Sequence, residues 1–387
     1  MTRDTLLVVT TSFPQEGDGS EAAGAFVADL AEELATRIPV RVVAPGRRAG
    51  TVEDLNGVAV RRFAGTGKPL SLLSPARPAD WPAIFGTLRS MRAQVLASDG
   101  DGRVAHTLAL WVLPSGWAAG ALQRSRGVPY SVWALGSDIW SLGRVPVVKS
   151  LLRRVVRNAA HCYADGLQLG EDAAAIGGRR FDFLPSTRRF SRPASLRQTD
   201  GPPRMLFLGR WHPNKGVDLL LDALDLLPHE AWHRIGELRL AGGGPLEALV
   251  HDRVARLQAA GRPVRLDGYL DRQQATDAIA RANWLLIPSR IESIPVVFSD
   301  AMKLGCPVVS TPVGDLPRLM RSESVGILAG AADAPSIAAA IQQALHASTD
   351  AFAPGLAAMA SRFDLRSGVC APLQELLQMH GQAEEAR

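Results

Sequence analysis

The sequence predicts an α/β protein made of two doubly wound, parallel-sheet domains in tandem. Three observations predict it. Short apolar runs ending in Gly, Ser or Pro recur along the chain; each is followed by a longer stretch of helical periodicity; and one aperiodic polar stretch interrupts the pattern near the middle, after which it restarts. With 387 residues and 47% hydrophobic content, the chain is long enough for two cores of ordinary size.

In the first half, "TLLVVTT", "VRVVAPG", "VAVRRF", "VAHTLA" and "YSVWALG" read as strands, and "GAFVADLAEELATR" reads as an amphipathic helix after the first of them. The stretch "STRRFSRPASLRQTDGPPR" (186–204) is rich in Arg, Pro and Ser and has no periodicity, which marks a linker. Beyond it come "RMLFLG", a helix over 215–227, "LRLAGGG", a helix over 246–260, "VRLDGY", a helix over 271–282, "WLLIPS", a helix over 295–304 and "PVVST". The expected boundaries are a first domain at 1–190, a linker at 191–203 and a second domain at 204–364, with a final amphipathic segment at 365–387. Two such domains facing each other leave a cleft onto which the C-terminal ends of both sets of strands open.

Composition excludes several classes. No apolar run approaches the roughly 18 residues of a membrane span, and the apolar start is too short for a secretory signal, so the expected location is cytoplasmic. Cys162, Cys306 and Cys370 lie far apart without metal-ligand spacing, which predicts buried thiols and neither a disulfide framework nor a zinc site. The net charge of +5 sits in the first half, where residues 1–190 hold 23 Lys/Arg against 17 Asp/Glu. In "VVKSLLRRVVRNAAH" (147–161), Lys149, Arg153, Arg154 and Arg157 alternate with Val and Leu at helical spacing. That is either a solvated helix face or a peripheral contact with the inner face of an anionic membrane. No interleaving of basic and aromatic residues indicates nucleic acid.

Candidate chemistry gathers in the second half. "FLGRWHPNKGVDLLLDAL" puts Arg210 and Lys215 between a strand and a helix entrance, where free N–H groups and the helix dipole favour an anion such as a diphosphate; a pair of solvated charges is the alternative. "LAGGGPLEAL" is a glycine-rich strand-to-helix turn, Gly242–Gly244, without the P-loop lysine. In "SRIESIPVVFSDAMKLGCPVVS", Glu292 and Asp300 stand eight positions apart across a helix start, a layout that suits hydroxyl groups at the two ends of a sugar nucleotide.

Taken in order, "GR…KG", "GGGPLE" and "PSRIESIPVVFSDAM.LGCPVVSTPVGD" resemble the retaining glycosyltransferases of family 4, the glycogen-synthase and mannosyltransferase-like enzymes of GT-B fold, densely over 204 to about 330. The resemblance implies that Arg210 and Lys215 bind the donor diphosphate, that Glu292 reads sugar hydroxyls and Asp300 the ribose, and that Gly243, Ser293, Ile294 and Pro295 line the donor site. It also implies that Gly24 approaches the donor phosphates and that the 365–387 segment returns to the first domain as a helix. The sequence departs from the family at Asp300, which replaces Glu, at Ser293, which replaces Gly, and at Leu135, which replaces the acceptor-side His of an H-G-S-D run. Asp138 and His106 remain as acceptor-side catalytic candidates; a helix cap and a satisfied strand histidine are the respective alternatives.

The expected reaction is hexose transfer from a nucleotide-diphosphate sugar to a hydroxyl acceptor, with retention, no cofactor and no metal, in glycan, polysaccharide or glycolipid synthesis. Rival readings are a nucleotide-sugar epimerase or hydrolase on the same fold and a degenerate binding subunit. A nicotinamide oxidoreductase is excluded by the lack of GxGxxG after the first strand. Base readout in the family uses backbone groups, here near Leu266 to Leu270, which leaves the donor base open.

Overall fold

The computed structural model describes residues 3–14, 21–65, 73, 77–190 and 201–375. The expected linker at 191–203 therefore lies outside the described residues except for its last three, as does the end of the 365–387 segment. The chain divides into two compact units, Met1–Arg189 with Leu365–Arg387 and Phe190–Asp364.

The first unit is built on an eight-stranded sheet: β1 (Thr5–Val9), β2 (Val40–Gly46), β3 (Val52–Leu55), β4 (Val58–Ala64), β5 (Val104–Leu110), β6 (Tyr130–Ala134), β7 (Cys162–Ala164) and β8 (Asp182–Phe183), in the order β3-β4-β2-β1-β5-β6-β7-β8. Every pairing is parallel except the β3–β4 hairpin at the edge. The helices are α1 (Glu21–Ala35), α2 (Trp81–Ala97), α3 (Ser115–Arg126), the short α4 (Ser137–Trp140), α5 (Pro146–Asn158) and α6 (Leu167–Gly177). Period-2 alternation sorts the core. Leu6 and Val8 pack with α1 and with Leu365, Val369, Cys370 and Leu373, while Leu7 and Val9 pack with Met91 and Val95 of α2 and Leu122 of α3 on the other face. On that second face Ala109 and Val132 also meet Leu152, Val155 and Val156 of α5.

The second unit holds a fully parallel sheet of β9 (Arg204–Arg210), β10 (Glu237–Gly243), β11 (Val264–Asp267), β12 (Trp284–Ile287), β13 (Val308–Ser310) and β14 (Gly326–Leu328) in the order β11-β10-β9-β12-β13-β14. Its strands are near-continuous apolar runs because helices cover both faces. These helices are α7 (Val217–Asp225), α8 (His229–His233), α9 (Glu247–Ala259), α10 (Arg272–Arg281), α11 (Val296–Lys303), α12 (Leu316–Ser322), α13 (Ala334–His346) and α14 (Ala353–Phe363). The order reverses beside β9: the chain leaves it toward β10 and β11 on one side, then returns to β12 on the other. Such a switch point opens a crevice at the C-terminal ends of the two strands, where parallel sheets bind ligands.

The α/β class is borne out, and all three cysteines are buried free thiols as expected. The basic 147–161 stretch is helical only as far as Asn158, since Cys162 already begins β7. The Asp99–Asp101 run is a turn in which Asp99 is ion-paired with Arg126 and Asp101 with Arg41. Among the described residues no helix is long and apolar enough to cross a membrane.

Candidate active site

β9 ends at the exposed Arg210, and the chain then turns through Pro213–Lys215, where His212 Nδ1 accepts a hydrogen bond from the Asn214 N–H at 3.1 Å. Gly216 follows with φ +70°, and a Cβ there would collide with the carbonyl oxygen of Pro288. Only glycine fits, because the loop after β9 must lie directly against the loop after β12. That contact carries Lys215 to Glu292: the ammonium and carboxylate form an ion pair across the switch point, with side chains 35% and 12% exposed. Ser289 Oγ donates to the same carboxylate oxygen of Glu292 at 3.3 Å.

A second pair stitches the same two loops. The Arg290 guanidinium donates to both oxygens of Asp218 at 2.8 Å and to the Pro213 carbonyl at 2.6 Å, while the Arg290 backbone N–H donates to Asn214 O at 2.8 Å. The hydrogen bond to Asp218 holds Arg290 above its ordinary pKa. Burial pushes Asp218 up, but the Arg290 hydrogen bond and charge outweigh it and leave the carboxyl below the usual range. A two-pronged arginine fork fixes direction as well as distance, which a lysine in its place would not. Gly314, at φ +55°, lets the loop after β13 close on the Glu292 backbone, and the Asp315 N–H donates to Ser293 O at 3.2 Å.

Arg210 stands free at the end of β9, with no side-chain partner among the described residues. Gly243 pairs with it across the β9–β10 ladder and accepts a hydrogen bond from Tyr269 Oη at 2.8 Å, which ties the glycine-rich turn to the loop after β11. Ser293 and Ile294 lie in the bend before α11, and Pro295 is its N-cap residue. The Ser293 hydroxyl is shielded and has no protein partner. Asp300 is not brought to this group. It is fully buried on α11, with its carboxylate 3.8 Å from the Lys303 ammonium, which in turn lies 4.4 Å from the centre of the Phe190 ring. Of the two acids, only Glu292 meets a cation from β9.

Three expectations in the first unit need correction. His106 lies inside β5 and is 1% exposed, hydrogen-bonded through Nε2 to Ser131 Oγ at 2.9 Å. It is nearer the start of the strand than its C-terminal end, and so is not a catalytic group. Asp138 is fully buried; its oxygens accept the Val112 N–H at 2.6 Å and the Leu135 N–H at 3.2 Å. Burial raises its pKa to about 6 against the opposing effect of those backbone donors. It ties the loops after β5 and β6 together and has no oxygen left for an acceptor. Gly24 makes its close approach to the protein itself, since a Cβ there would stand 2.6 Å from the backbone of Phe13.

Sequence reasoning missed Arg290, Asp218, Ser289 and Tyr269. Arg290 and Asp218 lie 72 positions apart, and no local spacing links them. Among the described residues no group of three or more His, Cys, Asp or Glu side chains converges as a metal site would.

Two doubly wound sheets in one chain, the second with a lysine and a glutamate joined across its switch point and a free arginine beside them, define a GT-B enzyme that transfers a sugar. Residues 202–347 match the family described as Glycosyl transferases group 1, and the chain is a glycosyltransferase carrying that domain. It is 28% identical over 363 residues to D-inositol 3-phosphate glycosyltransferase 1 of Catenulispora acidiphila, covering 84% of this chain and 82% of that protein. It is 33% identical over 178 residues to the phosphatidyl-myo-inositol mannosyltransferase of Mycobacterium leprae, covering 45% of this chain and 44% of that one. Among solved structures, HepE of Anabaena in complex with UDP matches with a TM-score of 0.69 at 17% identity, over 97% of this chain and all of that one.

Proposed function

We propose that this glycosyltransferase moves a hexose from a nucleoside-diphosphate sugar to a hydroxyl of a sugar or glycolipid acceptor, with retention at the anomeric carbon and without a metal. The observation that carries the reading is the Lys215–Glu292 pair at the β9–β12 switch point with the unpartnered Arg210 guanidinium at the same strand end. A diphosphate at that strand end meets two cations, and Glu292 then accepts hydrogen bonds from the hydroxyls of the sugar it carries.

As the bond from the anomeric carbon to the phosphate oxygen lengthens, its electron pair moves onto the diphosphate. Lys215 and Arg210 stabilise that charge from fixed positions, with little reorganisation at the moment of reaction. The acceptor oxygen forms the new bond on the same face, and its proton passes to the departing phosphate oxygen. Ser293, Ile294 and Pro295 contribute the N–H groups and the turn before α11. Asp300 would contact the ribose only if its carboxylate left Lys303.

The reading extends to where the chain works. α5 carries Lys149, Arg153, Arg154 and Arg157 on exposed positions, which suits peripheral contact with an anionic membrane and hence a lipid-linked acceptor.

Product analysis tests this. A panel of nucleotide sugars, headed by UDP sugars, is incubated with and without acceptor, with a chelator in a parallel series. A new glycoside of unchanged anomeric configuration, formed only with acceptor and unaffected by the chelator, is the expected result. Sugar epimerised or hydrolysed with donor alone would overturn the reading, and so would inversion. Loss of turnover on chelation would remove the metal-free part.

A further inference from the structure

We propose that the face of the first sheet formed by α2, α3 and α5 docks on an anionic lipid bilayer, with Trp81 and Phe85 of α2 entering the headgroup boundary. This rests on the reading of α5 as a membrane-facing helix and extends it to a helix that reading did not include.

The first observation is charge. α2, α3 and α5 together carry Arg89, Arg92, Arg124, Arg126, Lys149, Arg153, Arg154 and Arg157, and not one carboxylate. All eight cations are exposed. α1, which covers the opposite face, carries Asp29, Glu32 and Glu33 and no cation. α3 packs against both α2 and α5, so the three helices form one layer. A bilayer with anionic headgroups is the planar complement of such a layer, each cation near its surface adding to the attraction.

The second observation is where the exposed apolar side chains stand. Trp81 is 48% exposed and Phe85 64%, one helical turn apart in the first two turns of α2. Val147 at 82% and Leu151 at 36% repeat the arrangement in the first two turns of α5. Each of these helices returns between parallel strands, so both begin at the rim where the strands end. The four side chains are therefore on the same rim of the same layer, among the cations. Trp and Phe at the boundary between water and hydrocarbon lose exposed apolar area while the cations keep their water and their phosphates. A nucleic acid or acidic polysaccharide would take the cations but offers nothing to two apolar first turns.

The test is sedimentation of the full chain with vesicles of phosphatidylcholine, alone or mixed with phosphatidylglycerol. We expect binding to the mixed vesicles only. Arg153→Gln with Arg154→Gln should weaken it about fivefold per cation removed. Trp81→Ala with Phe85→Ala should weaken it at least about tenfold, from the apolar area no longer buried. Because both aromatic residues are exposed, the double variant should melt like the wild type and turn over a soluble acceptor at the wild-type rate. With brominated lipids, tryptophan fluorescence should be quenched in the wild type and not in Trp81→Phe, which still binds. Unchanged binding by the aromatic double variant would overturn the proposal and leave the α5 reading standing. Failure of the wild type to bind any vesicle would overturn both, as would preference for duplex DNA or heparin over the mixed vesicles, while sugar transfer to a soluble acceptor would be untouched.

Discussion

The two sheets obey one topological rule and use it differently. Each reverses its strand order beside its first strand, at β1 against β5 and at β9 against β12. In the second unit the loops at the reversal are joined by charged side chains that keep some contact with water: Lys215 to Glu292, and Arg290 to Asp218. In the first unit the loops after β5 and β6 are joined by one carboxylate, Asp138, that has none. Exposed pairs can exchange a protein partner for a ligand at modest cost, because solvent already screens them. A buried acid with both oxygens accepting backbone N–H groups cannot, since leaving those donors unpaired costs more than a ligand returns. The same fold position thus supplies chemistry in one unit and rigidity in the other.

The sharpest way to break this contrast is Lys215→Ala. If the lysine stabilises the diphosphate as charge develops, steady-state kinetics should show kcat lower by about 10²–10³-fold, the cost of losing one such donor. The melting temperature should change little, because the pair is partly exposed. Turnover at the wild-type level would remove the switch point of the second unit from the mechanism.

The opposite outcome is expected at Asp138, where the effect belongs to stability. Its pKa of about 6 in the folded protein lies above the ordinary 3.8. Between those values the folded state keeps a proton that the unfolded state has released, so stability is full below the lower value and falls as pH rises through the upper one. A pKa difference of one between the two states is worth about 1.4 kcal/mol, so the loss is of order 3 kcal/mol. Asp138→Asn has no proton to lose. Its amide misplaces one N–H against two backbone donors at every pH, so it should be less stable in acid and flat across this window. Urea unfolding midpoints at a series of pH values would show the slope in the wild type alone. A wild-type slope of the opposite sign would mean that the carboxyl is ionised in the folded state and that the tie is a charged one.

How far the sequence carries follows from the same contrast. The second sheet is legible because its strands are unbroken apolar runs and its helices have caps and clear periods; 271–282 is observed as Arg272–Arg281 and 295–304 as Val296–Lys303. α7 begins two residues later than its period suggests, because Pro213–Lys215 forms a tighter turn and Gly216 breaks it. β3, β7 and β8 escape notice, having two to four residues and hence no period to read. Lys215 and Glu292 can be picked out because each sits in a motif at a strand end. Asp138 and His106 look equally chemical as letters, and only burial separates them from the site. Residue type reports what a group can do, while burial decides whether anything can reach it. Arg290 and Asp218 show the converse: both read as surface charges until the fold brings them within 2.8 Å.

Arg290 tests whether the stitching matters apart from the charges it holds in place. Arg290→Ala removes the fork on Asp218 and the hydrogen bond to Pro213, leaving Lys215 and Glu292 intact but less well aligned. A misplacement of the loop should lower kcat about tenfold, near 1.4 kcal/mol, with a smaller change in donor KM. Arg290→Lys should recover only part of it, because an ammonium cannot make the two parallel hydrogen bonds. Full recovery by lysine would show that charge alone is needed there, and an unchanged kcat in the alanine variant would make the fork a matter of stability only.

The smallest effect is expected at Tyr269, the tie between the glycine-rich turn and the loop after β11. The residue is 70% exposed, so its ring contributes little to the core, and its hydroxyl acts through the hydrogen bond to Gly243 O. Tyr269→Phe keeps the ring over Gly243, where a Cβ would already be crowded by it, and removes only the hydrogen bond. A single neutral hydrogen bond contributes about 1 kcal/mol or less when water can replace it. The turn should then sample more positions, and binding should weaken by about threefold for whole nucleoside diphosphates. Calorimetry with a nucleoside diphosphate and with pyrophosphate separates two cases. If the turn only steadies the nucleoside, pyrophosphate binding at Lys215 and Arg210 is unchanged in Tyr269→Phe. If both ligands weaken equally, the hydrogen bond acts on the end of β9 through the Gly243–Arg210 ladder pair, and the glycine-rich turn belongs to the same mechanical unit as the switch point.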